Sequence, residues 1–233
     1  MMKTLLGKFI VVDGPDGGGK TTQRDLLAER LRHDGLPVVS CKDPGGTAIG
    51  DRIRHVLLDF DLSQMDVACE TLLFMASRAQ LLSEVVLPAL HASQVVLCGR
   101  FVSSTCAYQV AAGYEGRRVL ELAPFAIGGT WPDLTILFDV DVDTGFQRTG
   151  RRASQAGKNR KSASGQQSMF SGAGTDAMEA RSMEFHRRVR EAFLRLAECY
   201  PRPVRMIDTL TGNAREIHQQ VLRVLESQFP DRP

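Results

Sequence analysis

The run Gly14-Pro15-Asp16-Gly17-Gly18-Gly19-Lys20-Thr21-Thr22 follows directly on the apolar segment Phe9-Ile10-Val11-Val12. A match to G-x4-G-K-[ST] behind a strand leaves few folds open, because each position has a physical task. The glycines let successive backbone N–H groups turn inward around a polyphosphate, and the start of the following helix adds its partial positive charge. Lys20 can reach the β- and γ-phosphates, and Thr21 can ligate Mg²⁺. Residues 14–22 therefore predict an ATP site with Mg²⁺ as cofactor, in an α/β domain of P-loop NTPase type.

The rest of the chain agrees with that fold class. Short apolar runs at 9–12, 38–41, 95–98, 135–138 and 204–207 read as strands buried on both faces, as in a parallel sheet. Helical patterns between them cover about 21–34, 47–58, 66–90, 115–127, 143–152, 176–200 and 214–227. Asn213 with Glu216, and Asp176 with Glu179, have the capping-box spacing for the last two. Within 66–90, Ala68, Leu72, Met75, Ala79, Leu82 and Val86 recur at helical spacing and predict one buried stripe, with Phe74 and Arg78 together on another face. The whole of 1–233 reads as one kinase-sized domain.

Composition excludes some classes. A formal charge of +2 gives no general case for nucleic acid or membrane partners. Cys41, Cys69, Cys98, Cys106 and Cys199 form no Cys-x-x-Cys pair and predict reduced, buried thiols in a cytoplasmic protein. Gly7 and Lys8 interrupt the N-terminal apolar residues before a signal-peptide core forms, and no apolar run approaches bilayer length. From 148 to 175 the chain carries six cations, no acid, and much Gly, Ser and Gln, which predicts a basic lid that folds over phosphate.

A P-loop alone does not separate kinase from switch or motor. The chain has no Asn-Lys-x-Asp guanine reader. In open parallel sheets ligands collect at the carboxyl ends of the strands. Those ends offer Asp13 and Asp16, then Lys42 and Asp43, then Arg100 with Ser103, Ser104, Thr105, Tyr108 and Gln109, with Arg54 one turn into the next helix. Cations at core-strand ends beside a P-loop are best explained by a second phosphate group.

The segments 9–23, Asp43-Pro-Gly-Gly-Thr47, Leu73-Phe-Met-Ala-Ser-Arg78, 100–109 and Glu184-Phe-His-Arg-Arg-Val-Arg190 together resemble the thymidylate (dTMP) kinase family. That resemblance implies a P-loop nucleoside monophosphate kinase with a five-stranded parallel sheet, active as a homodimer, that moves the γ-phosphoryl of ATP to dTMP. It implies that Phe74 stacks on thymine, Arg78 meets the base edge, and Arg54 and Arg100 hold the acceptor phosphate. Asp16 would lie near the deoxyribose 3′-hydroxyl, Asp43 near the metal with Thr21, and Thr105, Tyr108 and Gln109 around base and sugar. Gly17 stands where one subclass has a catalytic arginine, so the resemblance assigns that charge to the lid, with Arg151, Arg152 and Arg160 as candidates beside Lys20, Arg100 and Asp16. The chain departs from the family pattern at Gly99, where Asp is usual, and at Asp176-Ala-Met-Glu179, where Asp-Arg-x-Glu is usual. Two other readings are a sibling kinase for another nucleotide or nucleoside, and a nucleotide-binding relative with little turnover.

Overall fold

The computed structural model describes residues 3–59, 64–150, 178 and 181–230. Five strands, β1 (Phe9–Asp13), β2 (Val38–Lys42), β3 (Val95–Gly99), β4 (Leu134–Asp139) and β5 (Val204–Asp208), form one parallel sheet in the order β2-β3-β1-β4-β5. All five sit where the apolar runs put them. The alternation along β1 explains the layers: Phe9 and Val11 enter one buried cluster, Ile10 and Val12 the other. Helices α1 (Lys20–His33) and α9 (Ala214–Gln228) cover the second face, the latter fixed by the expected Asn213–Glu216 capping box.

The other face carries α3 (Val67–Leu81), α4 (Leu87–His91), α5 (Val102–Ala111), α6 (Gly116–Ile127) and α8 (Met183–Arg195); α2 (Ala48–Leu58) packs on α3. Several expectations change here. The predicted helix over 66–90 is three pieces, because a π segment at Leu82–Val86 separates α3 from α4 ahead of Pro88, which has no N–H to give to the preceding turn. The run Val67–His91 is long and apolar enough by composition to cross a bilayer, but its buried face belongs to the core and it carries Glu70, Arg78 and Glu84. The buried stripe of α3 is also turned: Leu72 is 56% exposed, whereas Glu70, Thr71, Ser77 and Arg78 are buried beside Met75.

Helix α5 has no counterpart in the sequence reading, since Ser103, Ser104 and Thr105 favour caps and turns. Two of these hydroxyls donate instead to Asp13, Ser103 at 2.5 Å and Ser104 at 2.7 Å, so they do not compete for the helix backbone. Helix α7 (Val142–Arg148) ends earlier than predicted, and α8 starts at Met183 behind a Ser182 cap, not at 176. The Asp176–Glu179 pair lies outside the described residues. Of the five thiols, Cys41, Cys98 and Cys106 are buried, but Cys69 and Cys199 are exposed.

Candidate active site

The carboxyl end of β1 leads into the P-loop, whose shape depends on close backbone approach. Gly17 has φ 78° and rests against Gly145 of α7 so tightly that a β-carbon there would fall 2.3 Å from the Gly145 carbonyl oxygen. Gly14 meets the Phe138 backbone of β4 in the same way, at 2.5 Å. No side chain fits at either position, which accounts for the glycine at 17 where an arginine was one family alternative. Lys20, the first residue of α1, donates to the carbonyls of Gly14 at 3.0 Å and Pro15 at 2.7 Å and lies 3.7 Å from the Asp16 carboxylate.

Arg100 turns away from β3 with φ 67°, a left-handed conformation that costs a non-glycine residue roughly 1 kcal/mol or more. Its N–H donates to the Val12 carbonyl at 2.9 Å, and its guanidinium faces the P-loop. There it pairs with Asp16, donates to Ser104 Oγ at 2.9 Å and Tyr108 Oη at 3.3 Å, and lies 3.6 Å from Asp13. Burial would depress the Arg100 pKa, but Tyr108, Asp16 and Asp13 outweigh it and push it up, so the cation is permanent. Burial, opposed by Arg100, pushes the Tyr108 hydroxyl up and keeps it neutral.

Arg78 is 1% exposed. Its Nε donates to Asp43 at 2.6 Å, one terminal nitrogen to Thr105 Oγ1 at 2.9 Å and the other to Met75 Sδ at 3.1 Å, while the guanidinium lies over the Phe101 ring at 5.1 Å. Burial raises the Asp43 carboxyl and Arg78 opposes that rise; Asp43 Oδ1 is buried without a hydrogen-bond partner. Arg54 donates to the Pro44 carbonyl at 3.0 Å.

These residues line one cavity: Asp16, Asp43, Arg54, Phe74, Arg78, Arg100, Thr105 and Tyr108 all face it, joined by Ser104 and Met178. Gln109 does not; it is fully buried one turn beyond Thr105 and donates to Glu70 at 2.9 Å. A second cavity opens on the other side of the P-loop, lined by Gly17, Gly18, Gly19 and Thr22 with Arg148, Thr209, Asn213 and Ala214. The P-loop is thus a partition, with Asp16 facing one cavity and the next three glycines the other. Sequence reasoning missed Arg148 and Thr209 as wall residues. Arg148 was visible only as one cation of the basic run, yet it donates to the Thr209 carbonyl at 2.7 Å and its Oγ1 at 3.2 Å. Arg151, Arg152 and Arg160 lie outside the described residues.

A sequence profile described as Thymidylate kinase matches residues 12–221. The chain is 42% identical over 203 residues to the thymidylate kinase of Halalkalibacterium halodurans, covering 87% of this chain and 88% of that protein. It is 40% identical over 226 residues to the thymidylate kinase of Pelobacter propionicus, covering 96% of both. The crystal structure of thymidylate kinase from Ehrlichia chaffeensis superposes with a TM-score of 0.71 at 30% identity, over 94% of this chain and 98% of that one.

Proposed function

The chain belongs to the thymidylate kinase family and transfers the γ-phosphoryl group of ATP to dTMP, giving ADP and dTDP, and from that premise we propose how its residues divide the work. ATP binds along the P-loop with its base in the cavity of Arg148, Thr209 and Asn213, and dTMP occupies the cavity of Phe74 and Arg100. The single observation that carries this assignment is the partition: Asp16 lines one cavity and Gly17, Gly18 and Gly19 the other, and Lys20 and Arg100 both reach Asp16.

In this arrangement Phe74 stacks on thymine, with Arg78 and Thr105 toward the base edge, while Arg54 and Arg100 hold the 5′-phosphate. Asp16 and Tyr108 stand beside the sugar. The attacking dTMP oxygen is already ionised, so the transfer needs no general base, only alignment and neutralised charge. Lys20 exchanges the Gly14 and Pro15 carbonyls for phosphate oxygens, and the permanently charged Arg100 holds the acceptor in line. With no cation at position 17, the remaining positive charge falls to Arg151, Arg152 or Arg160.

Among the described residues no group of three or more His, Cys, Asp or Glu could cage a metal. Thr21, which follows Lys20 in the first turn of α1, would be the protein's ligand to Mg²⁺ brought in with ATP, and the ion would supply charge neutralisation at the phosphates. Asp43 fits this role less well, since Arg78 already occupies one oxygen and burial favours its neutral form. Its task is to set Arg78.

We also infer a homodimer in the cytoplasm. Ile49 and Val56 on α2, Leu72 on α3 and the 93% exposed Phe125 on α6 leave apolar surface on three helices packed in sequence, and a second copy would cover it. Five unpaired thiols suit a reducing compartment. Steady-state kinetics test the site assignment: Phe74→Ala should raise KM for dTMP alone and Arg148→Gln KM for ATP alone, and a reversed pattern would exchange the two cavities.

A further inference from the structure

Arg181 precedes the Ser182 cap of α8, and its guanidinium crosses to α3, where it pairs with Glu70. It also lies over the Phe185 ring at 4.7 Å. The Glu70 side chain is only 4% exposed, and its other oxygen accepts from Gln109 of α5 at 2.9 Å. One buried carboxylate thus ties together three separate pieces of chain.

Each of those pieces carries a wall of the acceptor cavity close by. Phe74 is one turn beyond Glu70, Thr105 one turn before Gln109, and Met178 three residues before Arg181, whose N–H donates to the Met178 carbonyl at 3.4 Å. None of Glu70, Gln109 and Arg181 lines the cavity itself. A carboxylate this buried is stable only while its cation and its amide donor both remain, so the three walls are held at one spacing.

We propose that Arg181 is a positioning residue for the acceptor site: through Glu70 and Gln109 it fixes the separation of Met178, Phe74 and Thr105, and so the fit of the dTMP base. This rests on the assignment of dTMP to the Phe74 cavity. It gives a use to a cation that the sequence places five residues after Asp176, in a chain with alanine at 177 where the family pattern has arginine.

Arg181→Met keeps the stem and removes the charge. Its KM for dTMP should rise about tenfold, the scale of a coupled network contact, with kcat and KM for ATP close to wild type. Arg181→Lys should recover part of the loss. Adding Glu70→Gln to Arg181→Met should cost little more than Arg181→Met alone, since no buried charge is then left unpaired. A lower melting temperature with unchanged KM for dTMP, or equal changes in both KM values, would overturn the proposal. Phe74→Ala is measured alongside: if it leaves KM for dTMP unchanged, the cavity assignment itself fails, whereas a large Phe74 effect with none from Arg181 sinks only this inference.

Discussion

The Arg24 guanidinium stands 3.3 Å from the point where a β-carbon on Gly99 would lie. It donates to the Cys41 carbonyl at 3.3 Å and pairs with Asp25 at 2.8 Å, so it ties α1 to β2 beside the very position where the family usually has aspartate. The neighbouring Arg100 does not lack for carboxylates, because Asp13 and Asp16 both reach it.

Gly99→Asp is therefore expected to be captured by Arg24. The mostly covered pair should stabilise the protein by up to about 1 kcal/mol, a rise of roughly 2–4 °C in melting temperature, and dTMP turnover should stay near wild type. The gain should vanish in an Arg24→Gln background. A gain that survives there, or a large jump in turnover, would mean that Gly99 is a true defect at the centre.

Gly17→Ala puts a methyl group into the Gly145 backbone at a φ of 78°. The P-loop must move, with a cost on the order of 1–3 kcal/mol and a loss of ATP affinity of about tenfold or more. Gly145→Ala, whose β-carbon would lie 2.3 Å from the Asp16 carbonyl oxygen, should do the same from the other side. Calorimetric ATP titrations check this, and unchanged affinity in both variants would refute the close approach.

Arg78→Met leaves Asp43 buried without its cation and should cost about 3–5 kcal/mol at neutral pH. Burial raises the Asp43 carboxyl above 3.8 while Arg78 pulls it down. An acid raised in the folded state contributes stability that is complete below its ordinary value and is lost as pH climbs through the raised one. Without Arg78 the carboxyl rises further, so the variant should lose less, relative to wild type, at pH 5 than at pH 8. Urea unfolding at the two values decides, and an equal loss would contradict the pairing.

Phe125→Glu puts a charge at the most exposed apolar side chain of α6, on the face proposed for the dimer. On the proposed homodimer the wild type should elute at dimer size, and the variant, still folded, at monomer size. Two wild-type-sized peaks at the same volume would remove this face from the interface.

The strands and the P-loop were legible because their residues speak for themselves: unbroken apolar runs, and glycines at fixed spacing. Polar elements were not. Helix α5 hid behind Ser103, Ser104 and Thr105: the two serine hydroxyls are satisfied by Asp13 some 90 residues earlier, and that of Thr105 by Arg78. The face of α3 was misphased because its buried side is the site side, where Glu70 and Arg78 find partners 111 and 35 residues away in sequence. Hydropathy sees Leu72 as core and Arg78 as surface; pairing reverses both. Arg148 was counted as lid charge, although its partner Thr209 lies 61 residues on.

The most direct test of the account is the initial rate of ADP formation by the wild-type protein with ATP and, in turn, dTMP, dUMP, dCMP, dGMP and thymidine. The proposed stacking of thymine on Phe74 and clamping of a 5′-phosphate between Arg54 and Arg100 predicts the highest kcat/KM with dTMP and almost none with thymidine, which has no phosphate to hold. A higher kcat/KM with dCMP, dGMP or thymidine would contradict it.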